Sequence, residues 1–527
     1  MEINTFEKIQ KKANKKSRND FLKLGLSLVF MALVLLATWN KIPGNPFLAV
    51  AAVFGAYMAM NIGANDVANN VGPAVGSKAL SMLGAIIIAA VFESAGALIA
   101  GGDVTGTIKK GIISQSAFAE PIYFVWAMTA ALLAAALWLN IATYLKAPVS
   151  TTHSIVGGVM GGGIAAAGSF GVVAWETMGK IALSWIISPV LGGVIAALFL
   201  FAIKKTIIYK DDKKSAALKM VPLYVSIMGW AFVTYLVMKG LKHIFKVNLP
   251  IAIGIGLIGA VAIFILVKGA ITKYSSKLDN SRDSVNRLFT IPLIFAAALL
   301  SFAHGANDVA NAVGPLAGIY DALANTTIST KASIPIWVMV IGAIGISLGL
   351  SLYGPKLIKT VGSEITELDQ ARAFSIALAA AITVIIASWL GLPVSSTHIA
   401  LGGVFGVGFL REWLDRTQRL EYRIKEEEQK IQEYKSKVEA LKAELKDLED
   451  RKDKSKGDYE RIIELFELIN SYEKELKKET KALKRVQKTK YVKRSAVNKI
   501  VAAWIITVPA AALISALIFY IIKGVML

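Results

Sequence analysis

The motif GANDVANNVGP at residues 63–73 occurs twice in this chain, because residues 305–315 read GANDVANAVGP. Ten of the eleven positions are identical. A second motif follows each copy, as PVSTTH at residues 148–153 and as PVSSTH at residues 393–398. From the first glycine to this proline the chain runs 85 residues in one copy and 88 in the other. Two motifs in the same order at matched spacing predict a chain built from two related halves.

The sequence around these motifs is strongly apolar. Apolar residues make up 55% of the chain and charged residues 18%, whereas soluble proteins typically have about 45–50% and roughly 25%. Mean hydropathy is +0.56. Apolar runs recur near the length of ~20 residues that crosses a bilayer, as at residues 22–39 and 251–267. We predict an all-α polytopic membrane protein with about 12–13 transmembrane segments, which excludes a single soluble core.

The positive charge of the chain follows its predicted topology. Lys and Arg number 58 against 37 Asp and Glu, a net charge of +21. Most basic loops fall on the cytoplasmic side when crossings are counted from the basic N-terminal tail, as the positive-inside rule expects. We therefore predict a multi-pass protein of the cytoplasmic membrane, in contact with lipid and without a nucleic-acid partner. The absence of cysteine excludes disulfides and thiolate metal sites.

The two halves are predicted to be inverted relative to each other. Each copy contains an odd number of crossings, about five, so the second copy enters the membrane upside down. Pro148 and Pro393 interrupt apolar runs, because proline does not continue a helix, and they predict broken half-helices. Inverted repeats whose broken helices meet near the midplane are a widespread plan among secondary transporters.

A charged block interrupts the second half. Residues 413–494 carry apolar side chains seven positions apart with charges between them, in two stretches separated by a turn. This pattern predicts an antiparallel coiled-coil hairpin, which the topology places in the cytoplasm. Two functions fit it, a spacer or assembly element and a site for a regulatory partner. The heptad positions are Ile424, Ile431, Val438 and Leu445, then Ile462, Ile469, Leu476 and Leu483.

These features divide the chain into six predicted parts. Both repeats are interrupted or flanked by added segments. The parts are a basic cytoplasmic tail with an extra N-terminal transmembrane helix (1–45), transport repeat 1 (46–205), a linker with two transmembrane helices (206–285), the first part of transport repeat 2 (286–412), the hairpin (413–494) and the last helix of repeat 2 (495–527).

Polar side chains inside the first motif predict a cation site. Asn65 and Asn69 share one helix face because they are four residues apart, and Asp66 lies beside them. A carboxylate inside a bilayer is costly and marks a functional site by default. Asp and Asn oxygens suit a hard cation such as Na⁺. A polar cluster that joins helices is the alternative, but duplication of the whole set argues against it. The second copy supplies Asn307, Asp308 and Asn311.

Hydroxyl groups in the second motif predict an oxyanion site. Ser150, Thr151 and Thr152 follow the proline and suit the start of a new half-helix. The first turn of a helix has unpaired N–H groups and the positive end of its dipole, which favour phosphate or sulfate. Ordinary helix capping explains one copy but not a paired arrangement. In the inverted second copy, Ser395, Ser396 and Thr397 point at the same place.

Glu93 is a further carboxylate deep within an apolar run. It fits a cation ligand or a proton carrier, and equally a buried structural pair. The matching stretch of the second copy, near Ile346, has no carboxylate. Any role of Glu93 in ion binding is therefore expected to be asymmetric.

The paired motifs resemble those of the PiT family of inorganic phosphate transporters over about residues 46–410 and 495–525. The resemblance implies a cation-coupled phosphate symporter, driven by Na⁺ or H⁺, that is built as an inverted repeat and forms a homodimer. It implies no cofactor beyond the coupling ion. Glu93 matches a glutamate of the family, whereas Ala377 stands where family members often have another glutamate.

The resemblance also implies residue roles. Phosphate would be held by Ser150, Thr151, Thr152, Ser395, Ser396 and Thr397, bordered by Asn65 and Asn307. Na⁺ would be bound by Asn65, Asp66, Asn69, Asn307, Asp308 and Asn311, together with Glu93, Thr152 and Thr397.

Several functions fit this scaffold. We favour Na⁺-coupled phosphate symport by alternating access, because Asp and Asn oxygens suit Na⁺. A sulfate permease and an H⁺-coupled phosphate permease are alternatives. Buried aspartates favour phosphate, since hydrogen phosphate can donate a proton to a carboxylate and sulfate cannot. A scaffold that recruits partners through the hairpin and a passive anion channel are further alternatives. An enzyme is not expected, because no nucleotide-binding loop or catalytic constellation is present.

Overall fold

The computed structural model describes residues 2–42, 45–114, 117–145, 149–239, 247–274, 278–324, 334–364, 368–415, 421–453, 455–487 and 494–526. Within these ranges the chain is helical and contains no β-strand, only an isolated antiparallel bridge between Ile113 and Val173. Eleven stretches of helix are long and apolar enough to cross a membrane. The prediction of an all-α polytopic membrane protein is therefore confirmed.

The α-helices are numbered here in chain order. A 3₁₀ turn, Phe170–Val172, follows α7, and a π-helical turn, Lys204–Ile208, follows α8. The helices are α1 (Glu2–Thr38), α2 (Phe47–Asn65), α3 (Val67–Gly76), α4 (Met82–Ala100), α5 (Gly102–Lys110), α6 (Pro121–Tyr144), α7 (Thr151–Ala167), α8 (Trp175–Ile203), α9 (Lys213–Lys239), α10 (Leu249–Tyr274), α11 (Arg282–Leu288), α12 (Thr290–Asp308), α13 (Ala310–Ala324), α14 (Ile336–Glu364), α15 (Gln370–Trp389), α16 (Ser396–Asp415), α17 (Glu421–Asp450), α18 (Lys456–Gln487) and α19 (Arg494–Met526).

The chain folds into two compact units. The first comprises residues 1–407 together with 494–527, and the second comprises residues 408–493. The first unit contains both copies of both motifs. The helices that begin at the second motif, α7 and α16, are not among the eleven apolar stretches, whereas the predicted count of 12–13 segments includes them.

The second unit contains two helices that run antiparallel. Leu445 and Leu448 of α17 pack against Leu465 and Ile469 of α18, and all four are buried. Exposed ion pairs flank this contact, as between Arg461 and Glu444, whose side chains approach to 2.9 Å. The side chain of Ile424, the first predicted heptad position, lies outside the described residues. Coiled-coil geometry and the cytoplasmic location of the pair stay predictions.

In the first unit, helices of repeat 1 pack on helices of repeat 2. The helix that carries the first motif in repeat 1, α2, packs on α14 of repeat 2, and α12 packs on α4. Glycines permit both approaches. A Cβ atom on Gly349 would lie 1.9 Å from the backbone oxygen of Met60, and one on Gly96 would lie 1.9 Å from that of Phe302. The same close contact thus forms in both copies, while inversion of the repeats stays a prediction.

Gly349→Ala is expected to lower the unfolding temperature of the purified protein. The new methyl group would meet the backbone of α2, which cannot move aside as a side chain can, and overpacking of this kind costs ~1–3 kcal/mol. Gly254→Ala is the matched control on a membrane helix, since nothing lies within 4 Å of its Cβ position. It should be neutral or slightly stabilising, because alanine favours helix by up to ~1 kcal/mol. Equal stability of the two variants would contradict the close packing of α14 on α2.

Candidate functional site

Both motifs lie where helices break or begin. Asp66 is the single residue between α2 and α3, and its counterpart Asp308 ends α12 shortly before α13 begins. Ser150 caps α7 by accepting the backbone N–H of His153 at 3.2 Å. In the second copy, the Ser395 hydroxyl accepts the N–H of His398 at 3.3 Å. Pro148, which we predict to break the first apolar run, lies outside the described residues.

The Asp66 carboxylate connects the two copies of the second motif. Thr151 donates a hydrogen bond to one carboxylate oxygen at 2.6 Å, and Thr397 donates to the other at 3.1 Å. The Asn69 amide donates to the Thr397 hydroxyl at 2.8 Å. Asp66 is buried, with 1% of its surface exposed. Residues of repeat 1 and repeat 2 therefore meet around one carboxylate.

Residues of the first motif in repeat 2 make corresponding contacts with hydroxyl groups, including those of repeat 1. Asn311 donates to the hydroxyls of Thr151 and Thr152 at 3.3 and 3.1 Å, and Ser396 donates to Asp308 at 3.3 Å. Thr152 also donates to the backbone carbonyl of Val394 at 2.9 Å. Like all the other predicted site residues, these side chains are buried. The structure thus brings the predicted cation ligands and the predicted anion ligands together in one buried region.

Asn65 and Asn307 both contact the backbone that leads into the hydroxyl groups of the second motif. Asn65 donates to the carbonyl of Val149 at 3.3 Å. Asn307 donates to the hydroxyl of Ser388 at 2.9 Å, and its side-chain oxygen accepts the N–H of Val394 at 3.3 Å. In this conformation both amides hold the chain that leads into the second motif. Their predicted contacts with phosphate and Na⁺ stay predictions.

Glu93 forms a buried chain of ionisable groups with residues of α12. Its carboxylate lies 2.6 Å from Nδ1 of His304, whose Nε2 lies 2.9 Å from the Asp308 carboxylate. Asn70 donates to the other Glu93 oxygen at 2.8 Å. Glu93, His304 and Asp308 are completely buried. Glu93 therefore belongs to a buried pair, and this pair is joined to the predicted cation site.

Sequence reasoning missed His304 and Asn70. A signal existed for each: His304 lies one helical turn before Asp308, and Asn70 occupies the single position at which the two copies of the first motif differ, with Ala312 as its counterpart. The repeat that has Glu93 is thus the repeat that has an amide to bind it. The predicted asymmetry of Glu93 extends to its partners.

The chemistry of the site suits a cation. Ligand atoms of Asp66, His304 and Asp308 lie within 4.8 Å of one another. One carboxylate oxygen of Asp308 and the side-chain oxygen of Asn311 are buried and accept no hydrogen bond from the residues that the structure describes. Leaving a buried acceptor unpaired costs ~1–3 kcal/mol, and oxygens of this kind suit a hard cation. Next to them, the hydroxyls that begin α7 and α16 suit an oxyanion.

Known proteins are similar to this chain in sequence over most of its length. The sequence model of the phosphate transporter family matches residues 62–515. A Helicobacter pylori protein provisionally named a phosphate permease is 52% identical over an alignment that covers 98% of each chain. A Pyrococcus furiosus protein with the same provisional name is 40% identical over 368 residues, or 70% of this chain and 88% of its own.

A solved structure extends this similarity to the fold. It is titled "The sodium-dependent phosphate transporter", is 31% identical in sequence and matches with a TM-score of 0.72. The match covers 91% of this chain and 99% of that one. Because the family match spans most of a chain with eleven apolar helices, this protein belongs to the phosphate transporter family and is a multi-pass membrane transporter of phosphate, not an enzyme.

Proposed function

We propose that the protein is a symporter that couples phosphate to Na⁺ and works by alternating access in the cytoplasmic membrane. The observation that carries the proposal is the pair of buried oxygens without a hydrogen-bond donor, on Asp308 and Asn311. They lie beside the hydroxyls of the second motif, because Asn311 contacts Thr151 and Thr152. A similar solved transporter is called sodium-dependent, which supports Na⁺ as the ion.

In this proposal the site residues divide by chemistry. Hydroxyls and backbone N–H groups at the starts of α7 and α16 bind the anion, and carboxylate and amide oxygens bind Na⁺. The anion ligands are Ser150, Thr151, Thr152, Ser395, Ser396 and Thr397, bordered by Asn65 and Asn307. The Na⁺ ligands are Asn65, Asp66, Asn69, Asn307, Asp308, Asn311, Glu93, Thr152 and Thr397. No cofactor is proposed beyond the coupling ion.

Coupling follows from electrostatics. Asp66 and Asp308 would repel a phosphate dianion that enters the same buried region, since charges interact more strongly at low dielectric than in water. Na⁺ bound to these carboxylates removes the repulsion, so phosphate binds well only after the cation. Because Asp66 contacts both Thr151 and Thr397, occupation of the cation site also affects the anion ligands of both repeats. We further propose a homodimer as the assembly.

Proton coupling is the second candidate. The buried chain from Glu93 through His304 to Asp308 favours it, since all three groups can exchange protons. His304 lies 2.6 Å from Glu93 and 2.9 Å from Asp308. In this case a proton on the chain, rather than Na⁺, would lower the repulsion of phosphate. A sulfate permease is the remaining alternative for the anion.

Uptake of radiolabelled phosphate into proteoliposomes distinguishes these candidates. A tenfold inward Na⁺ gradient stores about 1.4 kcal/mol per ion, so one coupled Na⁺ should sustain about tenfold phosphate accumulation. The matched control replaces the gradient with K⁺, a second arm imposes a proton gradient without Na⁺, and a third adds excess unlabelled sulfate. We expect uptake that requires Na⁺ and ignores sulfate. Uptake driven by the proton gradient alone, or abolished by sulfate, would contradict the proposal.

A further inference from the structure

Four aromatic rings lie in contact next to the hydroxyl groups of the second motif. His153 follows Thr152 on α7, and its ring centre lies 3.8 Å from that of Trp185 on α8. His398 on α16 lies 3.7 Å from Trp504 on α19, and the two histidine rings are 4.6 Å apart. Both histidines are buried. This ring cluster, Trp185–His153–His398–Trp504, connects two helices of each repeat and joins the starts of α7 and α16.

Trp185 has a second contact, with the other repeat. Its indole N–H donates to the backbone carbonyl of Pro393 at 3.0 Å. The next residue, Val394, donates its N–H to Asn307 at 3.3 Å and accepts the Thr152 hydroxyl at 2.9 Å. Three side chains therefore hydrogen bond to the backbone of Pro393 and Val394, the two residues before Ser395. One of these side chains, Trp185, belongs to α8 of repeat 1.

We propose that Trp185 is a positioning residue for phosphate binding, which fixes the start of α16 relative to the start of α7. Its ring contacts His153 in the first copy of the second motif, and its N–H donates to Pro393 in the second copy. The inference rests on the proposed function, because it takes phosphate to bind at these two helix starts. Trp185 itself is not a predicted ligand of phosphate.

Distance explains why such a residue affects affinity. Hydrogen bonds to an anion require heavy-atom separations of about 2.7–3.2 Å. The six hydroxyls at the starts of α7 and α16 can therefore bind one anion together only while the distance between the two helix starts is maintained. A buried carbonyl that loses its donor must find a new partner or remain unpaired. Release of the Pro393 carbonyl would thus move the backbone directly before Ser395, which caps α16.

Trp185→Phe tests the proposal, since it keeps an aromatic ring beside His153 and removes the N–H group. We expect the phosphate KM to rise about tenfold, the order expected when a buried carbonyl loses its donor. The maximal rate per folded transporter should stay unchanged, and the unfolding temperature should fall by no more than the loss of one hydrogen bond explains. A purely structural role would instead lower the unfolding temperature or the amount of folded protein at an unchanged KM. Trp185→Tyr removes the same N–H group and serves if the Phe variant does not fold.

Trp230→Phe is the matched control. Its indole N–H also donates to a backbone carbonyl on a neighbouring helix, that of Ile253 at 3.2 Å, between α9 and α10. Its phosphate KM should equal that of the wild type, and an equal rise in both variants would overturn the proposal. Ser396→Ala tests the anion site itself. If it raises KM while Trp185→Phe does not, the positioning role is wrong; if Ser396→Ala leaves KM unchanged, the proposed anion site is wrong.

Discussion

Asp66→Asn is expected to lower Na⁺-driven phosphate uptake about 100-fold or more. The carboxylate accepts hydrogen bonds from Thr151 and Thr397, one in each repeat, and hydrogen bonds to charged groups contribute ~1.5–3 kcal/mol each. An asparagine carries no charge for Na⁺, and it presents an NH₂ group where one of the two hydroxyls needs an acceptor. Initial rates in proteoliposomes, divided by the amount of folded protein, measure the effect.

Asp211→Asn is the control for this substitution. Asp211 is exposed, in the turn between α8 and α9, so the same chemical change there should leave uptake and its Na⁺ dependence as in the wild type. A second measurement locates the defect. If Asp66 binds Na⁺, the residual uptake of the variant should need a higher Na⁺ concentration to reach half of its maximum, whereas an unchanged Na⁺ requirement would place Asp66 outside the Na⁺ site. An Asp66→Asn protein that retains half of the wild-type rate would show that this carboxylate is not a coupling ligand.

The duplicated motifs contain enough information to predict the fold class and to name candidate site residues. Spacing alone predicts that helix-breaking motifs recur in both halves, and the hydroxyls after Pro393 fit a helix start because Ser and Thr are favoured caps. The structure has Ser150 and Ser395 in these cap positions. Such local features depend on neighbouring residues, so sequence patterns predict them well.

Contacts between the repeats could not be predicted in the same way. Asn65 and Asn69 share a helix face, yet Asn65 contacts the backbone of its own repeat and Asn69 contacts Thr397 of the other. Helical periodicity gives the direction of a side chain but not the element that packs there. The Glu93–His304 pair joins residues 211 positions apart, and it exists because glycines let α4 approach α12 closely. One partner of Glu93 was indicated by the sequence itself, since Asn70 is the position at which the two copies of the first motif differ.

Glu93→Gln and His304→Gln are each expected to reduce both uptake and stability strongly. The two side chains are completely buried and lie 2.6 Å apart, and removing one partner of a buried ionisable pair typically costs ~3–5 kcal/mol, because the other remains uncompensated. His304 also lies 2.9 Å from Asp308, so its loss disturbs the proposed Na⁺ site directly. Unfolding temperature and uptake are measured for each variant in parallel.

A double-mutant cycle separates the pair from its surroundings. Two glutamines can hydrogen bond to each other, so the Glu93→Gln/His304→Gln protein should be destabilised by less than the sum of the single variants. Glu176→Gln is the control, because Glu176 forms an exposed pair with Lys180 at 2.7 Å, and exposed pairs contribute little. Stability recovered in the double variant without uptake would assign the pair a part in coupling as well as in folding. Additive losses of stability would contradict direct coupling between Glu93 and His304, and full uptake in the double variant would exclude both residues from ion coupling.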